Sequence, residues 1–298
     1  MNNNADTVSV ALAVYNGEKY LPELLSSLQA QTAKPHELVV LDDCSTDNSI
    51  EIINAFPLSF EKKVFSNERN MGPVYTFKKL VGLSRGSFIA FCDQDDVWVP
   101  EKLERSLSEI QKMNNNIPGI IFTDLSVIDE KGKLLQKSYW RGRSVHPCKF
   151  SFADILFANN ITGCTTLVNK QMANELSKMP LNILMHDHWM ALIAYSVGVY
   201  EFIDRPMVMF RSHHNSVTDK ERSTTWKVFL NDLKKRATYL NQNIQQAIEF
   251  KRLYSSDLSS RDMGTLEQFI SLRHKSFLYK RFKRDYRSLL RRLKRSCV

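Results

Sequence analysis

Short apolar runs alternate with amphipathic stretches through the first half of the chain. Val8 to Val14 is continuously apolar, the pattern of a strand covered on both faces. Glu18 to Gln31 follows with Leu21, Leu24, Leu25 and Leu28 at helical spacing, and Glu37 to Leu41 reads as a second buried strand ending in Asp42-Asp43. Ser45-Thr46-Asp47 offers cap residues for a helix through Ile50, Ile52 and Ile53. Lys63 to Ser66 predicts a third strand, Tyr75 to Leu83 a helix and Ser87 to Cys92 a fourth strand. Pro100 suits the first position of a helix through Leu103, Leu107 and Ile110.

This alternation predicts an α/β fold: a doubly wound, mostly parallel sheet with flanking helices. Ligands of such sheets gather at the carboxyl ends of the strands. Tyr15, Asp42 with Asp43, and Asp93 with Asp95 all fall at those ends, so three polar clusters share one edge.

In the second half, Gly119 to Ile128 reads as another strand, and Leu134 to Pro147 as a polar, aromatic, mobile loop. Ile161 to Val168 is strand-like, His186 to Ser196 helical, and Pro206 to Phe210 a short strand. A long helical pattern runs from Trp226 to about Tyr254, with Phe229, Leu233, Ala237, Leu240, Ile244 and Ile248, and could pair with a copy of itself. Residues 1–218 therefore read as one domain, and 219–298 as a helical C-terminal extension.

Charge changes the picture only at the end of the chain. Of the net +9, the whole excess lies in residues 275–298, which hold ten Lys/Arg and one acid, Asp285. Leu278, Phe282, Tyr286, Leu289, Leu290 and Leu293 recur there at spacings of three and four, with cations on the other faces. That pattern predicts an amphipathic helix on an anionic membrane surface, at about 1 kcal/mol per cation. Nucleic acid is disfavoured, because only Tyr279, Phe282 and Tyr286 could stack and no binding motif accompanies them. The polar N-terminus lacks a signal-peptide layout, and the apolar run Trp189 to Tyr200 is too short to span a bilayer. Five scattered cysteines without a CxxC pair suggest neither a zinc knuckle nor a disulfide framework, and fit a reducing, cytosolic compartment.

The strongest chemical signal is Asp93-Gln94-Asp95-Asp96, directly after an apolar run. Three carboxylates in four residues cost free energy unless a cation or donor-rich ligand sits among them, and a divalent metal carrying a phosphorylated substrate is the simplest such partner.

The segments Thr7–Val10, Tyr15–Leu21, Gln31-Thr32 and Leu41–Asp47 together resemble family 2 inverting glycosyltransferases of the GT-A fold. Phe91–Trp98 resembles the metal-binding DxD segment of a bacterial subgroup, many of whose members act as rhamnosyltransferases or surface-polysaccharide transferases. His186–Trp189 and Phe210–Thr218 resemble two later motifs of the same subgroup, so the match covers about residues 7–218. The resemblance implies a metal-dependent inverting transferase. It would move a sugar, with a deoxysugar such as rhamnose on thymidine diphosphate favoured, from a nucleotide-diphosphate donor to a glycan or lipid-linked glycan of O-antigen or capsule type. Such an enzyme would sit in the cytoplasm, peripheral at the inner face of the membrane.

By the same resemblance Tyr15 stacks on the nucleobase, Asp43 accepts from the base imide, and Asp42 contributes to the nucleotide site or supports its loop. Asp95 ligates Mn²⁺ or Mg²⁺, Asp93 faces the ribose or metal-bound water, and Arg211 pairs with phosphate. His213, preferred over its neighbour His214, completes the metal sphere or touches the diphosphate. Asp187 becomes the general base that takes the acceptor's hydroxyl proton. Asp42 and Asp43 also read as caps of a turn, and Asp187 as a helix cap. A sugar nucleotidyltransferase would want a Gly-rich basic loop where Ala13 to Tyr20 holds only Gly17, and no GxGxxG for a dinucleotide follows Val14. Intact Asp43, Asp95 and Asp187 oppose a non-catalytic membrane-associated glycan-assembly factor.

Overall fold

The computed structural model describes residues 6–143, 146–212 and 226–276, together with positions 279, 283–285 and 287. His213, His214 and most of the basic segment 275–298 lie outside the described residues. The first half builds β1 (Val8–Val14), α1 (Leu21–Gln29), β2 (Glu37–Asp42), α2 (Ser49–Ala55), β3 (Glu61–Ser66), α3 (Pro73–Leu83), β4 (Phe88–Asp93), β5 (Val97–Trp98) and α4 (Lys102–Ile110). The second half adds β6 (Gly119–Ile128), β7 (Leu134–Gln136), α5 (Tyr139–Arg143), α6 (Phe152–Ile155), β8 (Leu167–Asn169), α7 (Lys170–Ser177), α8 (His186–Ala194) and β9 (Val199–Arg211). Two long helices follow, α9 (Trp226–Tyr254) and α10 (Ser260–Ser271).

The strands form one nine-stranded sheet in the order β3-β2-β1-β4-β8-β6-β9-β5, with β7 paired to β6. The first four strands are parallel, as the alternation predicts, and β6 and β9 are parallel too. Antiparallel β8 joins these two parallel blocks. Alternate residues of each strand enter opposite layers, which is why the runs are apolar throughout. Val10, Leu12, Leu38 and Val40 pack with Leu21, Leu24, Leu25 and Leu28 of α1, Ile53 of α2 and Leu103 of α4. Ala11, Val39, Leu41, Ile89 and Phe91 face the other way, onto α3, α7, α8, α9 and α10.

Where expectation and structure differ, local chemistry explains it. Residues 134–142 of the segment expected as a mobile loop are not loose. Asp124, buried at a register shift of β6, accepts the Trp140 N–H at 3.1 Å and the Ser138 hydroxyl, and Trp140 is buried. Within Ile161 to Val168 only the end is strand. Gly163–Thr165 forms a 3-10 turn, in which the Thr165 and Thr166 hydroxyls donate to the carbonyls of Thr162 and Gly163 at 2.7 Å. The strand at Pro206 extends far upstream, since Pro206 pairs with Asp124 at that same irregularity, where a missing N–H is tolerated. Pro100 lies in a turn two residues before α4. Cys44, Cys92 and Cys164 are free thiols, whereas Cys148 is disulfide-bonded although no CxxC spacing marks it. Among the described residues no helix is long and apolar enough to cross a membrane.

At the edge of the sheet away from the Asp-rich loops, Glu37 is fully buried. Its carboxylate accepts from Ser9 Oγ at 2.6 Å and Arg85 N at 2.7 Å, and pairs with Lys63. Glu37→Ala strands these donors, so it should cost about 2–4 kcal/mol and lower Tm by roughly 5–10 °C in thermal unfolding.

Candidate functional site

Parallel register brings the chemistry together. Val14 pairs with Asp42, Asp42 with Ser66, and Ala13 with Asp93, so the loops after β1, β2, β3 and β4 open side by side. The strand order changes direction at β1, the position where doubly wound sheets leave a crevice.

Tyr15 is half exposed at this rim, and its backbone is clamped by Gln94. The Tyr15 N–H donates to Gln94 Oε1 at 2.7 Å, and Gln94 Nε2 donates to the Tyr15 carbonyl at 2.8 Å. A Cβ on Gly17 would collide with that amide, so a larger residue at 17 would push Gln94 out of this clamp. Gln94, between Asp93 and Asp95, is therefore a splint between two loops, which a DxD pattern does not register. Asp42 accepts from the backbone and hydroxyl of Ser45. Asp43 accepts from Asn67 Nδ2 and Met71 N at 2.8 Å and from Gly72 N at 2.7 Å, while Lys79 donates to Asn67 Oδ1 at 2.9 Å. Both carboxylates are buried and tie neighbouring loops to β2.

Asp93 and Asp95 are half-buried in the crevice, and Asp96 is fully buried behind them. Desolvation first, then the charges of Asp95 and Asp187, push the Asp93 carboxyl up to about 7. Asp96 is pushed well up by burial and then by the charges of Asp95 and Asp93. It accepts the Arg211 N–H at 3.3 Å and the Cys164 thiol, and feels the charge of buried Lys102. The Lys102 ammonium sits 3.6 Å from the centre of the Trp98 ring, and desolvation brings its pKa down to about 8.

Asp187 occupies the first turn of α8. Its pKa rises to about 6 through desolvation, opposed by hydrogen bonds from the His188, Gly163 and Asp187 backbones and the Asn159 side chain. A Cβ on Gly163 would lie 2.7 Å from His186 Nε2, so only glycine lets this turn approach the start of α8. His186 packs against Phe77, with ring centres 3.9 Å apart, and against Phe91; desolvation holds it down to about 3, a neutral spacer. Asn159 and Gly163 lie on loops without a readable code, so no sequence signal marked them. The effect of Asp187 on Asp93 places both carboxyls in one electrostatic neighbourhood.

Arg211, expected to pair with phosphate, is held here by protein groups. Its buried guanidinium donates from Nε to the Asp95 carbonyl at 3.0 Å and from Nη1 to the Asp129 carbonyl at 3.2 Å. Nη2 pairs with Glu23, and the plane stacks over Tyr20 at 4.7 Å. The fork is filled by protein groups, so Arg211 braces the acidic loop from behind.

Asp93, Asp96 and Cys164 each present a potential metal-ligand atom, all within 4.8 Å of one another. Burial pushes the Cys164 thiol up, and it donates to Asp96 as a neutral group. The donors suited to a hard cation are therefore carboxylate oxygens, and the crowding that raises Asp93 is what a divalent ion relieves. The residues fit such an ion.

Arg211→Lys keeps the charge and loses the fork. It should lower Tm by several degrees and speed amide exchange near residues 95–97 and 129–131 at least ~10-fold, because their carbonyls lose donors.

The description "Glycosyl transferase family 2" matches residues 9–165, more than half of the chain. A putative teichuronic acid biosynthesis glycosyltransferase, TuaG of Bacillus subtilis, is 27% identical over 237 residues, which cover 77% of this chain and 89% of the relative. A dTDP-rhamnosyl transferase, RfbG of Shigella flexneri, is 26% identical over 219 residues, covering 69% and 72%. Among solved structures, S. aureus TarS residues 1–349 in complex with UDP-GlcNAc superposes with a TM-score of 0.57 at 19% identity, over 95% of this chain and 90% of that one. That superposition carries the fold alone: a mixed α/β sheet of GT-A type with a helical C-terminal region. The chain belongs to glycosyl transferase family 2.

Proposed function

We propose that this glycosyltransferase moves a sugar from a nucleoside diphosphate to a hydroxyl of a growing surface polysaccharide, with inversion at the anomeric carbon. The observation that carries the reading is the pairing of Asp93 and Asp187 in one crevice, both with carboxyls raised into the range where protons are exchanged near neutrality. In the transfer, the acceptor oxygen attacks the anomeric carbon as the bond to phosphate breaks. Asp187 takes the hydroxyl proton, and the nucleoside diphosphate leaves. Asp187 also keeps its backbone hydrogen bonds at the start of α8, so a capping role and a base role coexist.

Tyr15, exposed at the rim, lies where a nucleobase can stack, and Asp42 and Asp43 hold the adjoining loop rigid. Asp95, with Asp93 beside it and His213 from outside the described residues, would hold Mn²⁺ or Mg²⁺, which supplies positive charge to the diphosphate. TarS structures with UDP and UDP-GlcNAc support a nucleotide-sugar donor. The relatives named for dTDP-rhamnosyl transfer and teichuronic acid synthesis support a deoxysugar such as rhamnose and a polymer acceptor. A lipid-linked acceptor at the cytoplasmic face of the membrane, approached through the basic segment 275–298, completes the proposal.

Three measurements test it. In transfer assays over a panel of nucleotide sugars, chelator should abolish turnover, Mn²⁺ restore it, and Asp95→Ala abolish it even with Mn²⁺ present; turnover in chelator, or unchanged turnover in Asp95→Ala, overturns the metal assignment. Asp187→Asn should keep donor affinity and lose at least ~100-fold in rate. Since the base works deprotonated and its pKa is raised to about 6, kcat/KM should climb as pH rises through 6 and level off above it.

A further inference from the structure

Helix α9 presents an ordered stripe to the catalytic half: Tyr239, Asn243, Gln246 and Phe250, at spacings of four, three and four. Phe250 packs edge-on against Trp189, two residues beyond Asp187, with ring centres 5.4 Å apart. One turn earlier, Gln246 Oε1 accepts the Leu184 N–H at 3.0 Å, on the segment that leads into α8. One turn earlier again, Asn243 donates to the Phe157 carbonyl at 3.2 Å, beside the loop that supplies Asn159. These three residues are buried. The next residue of the stripe, Tyr239, is 43% exposed. Its phenol feels the Asp187 charge, after desolvation the second influence that raises it to about 12.

A single exposed tyrosine on a helix needs no explanation. This one stands at the end of an anchored stripe, within the field of the proposed base, and outside the strand-end loops that form the donor side. We infer that Tyr239 is a wall of the acceptor subsite, taking a pyranose ring against its aromatic face while the sugar hydroxyl points at Asp187. The apolar C–H face of a pyranose matches an aromatic ring, and tyrosine offers a large rigid surface with a wet polar tip. The C-terminal helix thus supplies part of the specificity, choosing a ring-shaped glycan acceptor over an open-chain polyol. This inference rests on the transferase reading with Asp187 as base.

The test uses the full chain with Mn²⁺ and the donor that the panel identifies. Transfer to octyl glycosides of glucose, N-acetylglucosamine and rhamnose is measured beside hydrolysis of the donor by water. Tyr239→Ala should raise the KM for the accepted glycoside at least ~10-fold, leaving donor hydrolysis and Tm unchanged. Tyr239→Phe should stay within about twofold of the parent, because the ring face makes the contact. An unchanged acceptor KM in Tyr239→Ala overturns the subsite, as does a parallel loss of donor hydrolysis or Tm, which marks a structural role. A parent that hydrolyses donor yet uses none of the glycosides also overturns it, with the transferase reading intact. A parent that turns over no nucleotide sugar removes that reading itself.

Discussion

The structure is organised around the cost of holding like charges together in a partly dry crevice. Asp93, Asp95, Asp96 and Asp187 converge from one strand end, the loop after it and a helix start, and desolvation drives three of them towards their neutral forms. The fold answers from behind rather than within. Lys102 lies buried under the Trp98 ring near Asp96, Cys164 donates a thiol proton to it, and Arg211 holds the Asp95 carbonyl. None of these groups neutralises the front of the crevice, so it remains a place where an added cation or a proton is welcome.

Rigidity comes from backbone bonds made by polar side chains. Gln94 locks the first loop to the fourth, and Asp43 locks the second to residues 67–72 with Lys79 behind it. Stability is secured elsewhere, through the Glu37 network at the opposite edge and the two apolar layers. This division lets the carboxylate edge carry unfavourable electrostatics without endangering the fold.

Much of this was legible in the sequence. Fully apolar runs such as Val8–Val14 mark strands covered on both faces, and leucines at helical spacing in α1 mark the side they bury. Clusters after those strands gave the candidate edge. Arg211 shows the limit: only burial and three-dimensional partners reveal that this basic residue also braces the Asp95 carbonyl. Trp140 shows another, since a loop rich in polar residues is anchored by one buried aspartate, Asp124, that lies in the middle of a strand. Short helices such as α6 and α7 escaped because four to eight residues give too few turns for a periodicity to stand out.

The apolar layer that contains Phe91 and Trp189 continues without a break into Leu240, Phe250, Tyr254, Leu266 and Phe269 of the last two helices. A fragment ending after β9 would lay bare an aromatic surface and tend to self-associate. Chimeras that exchange α8 between relatives would have to carry α9 along, because the two are cut from one piece of packing.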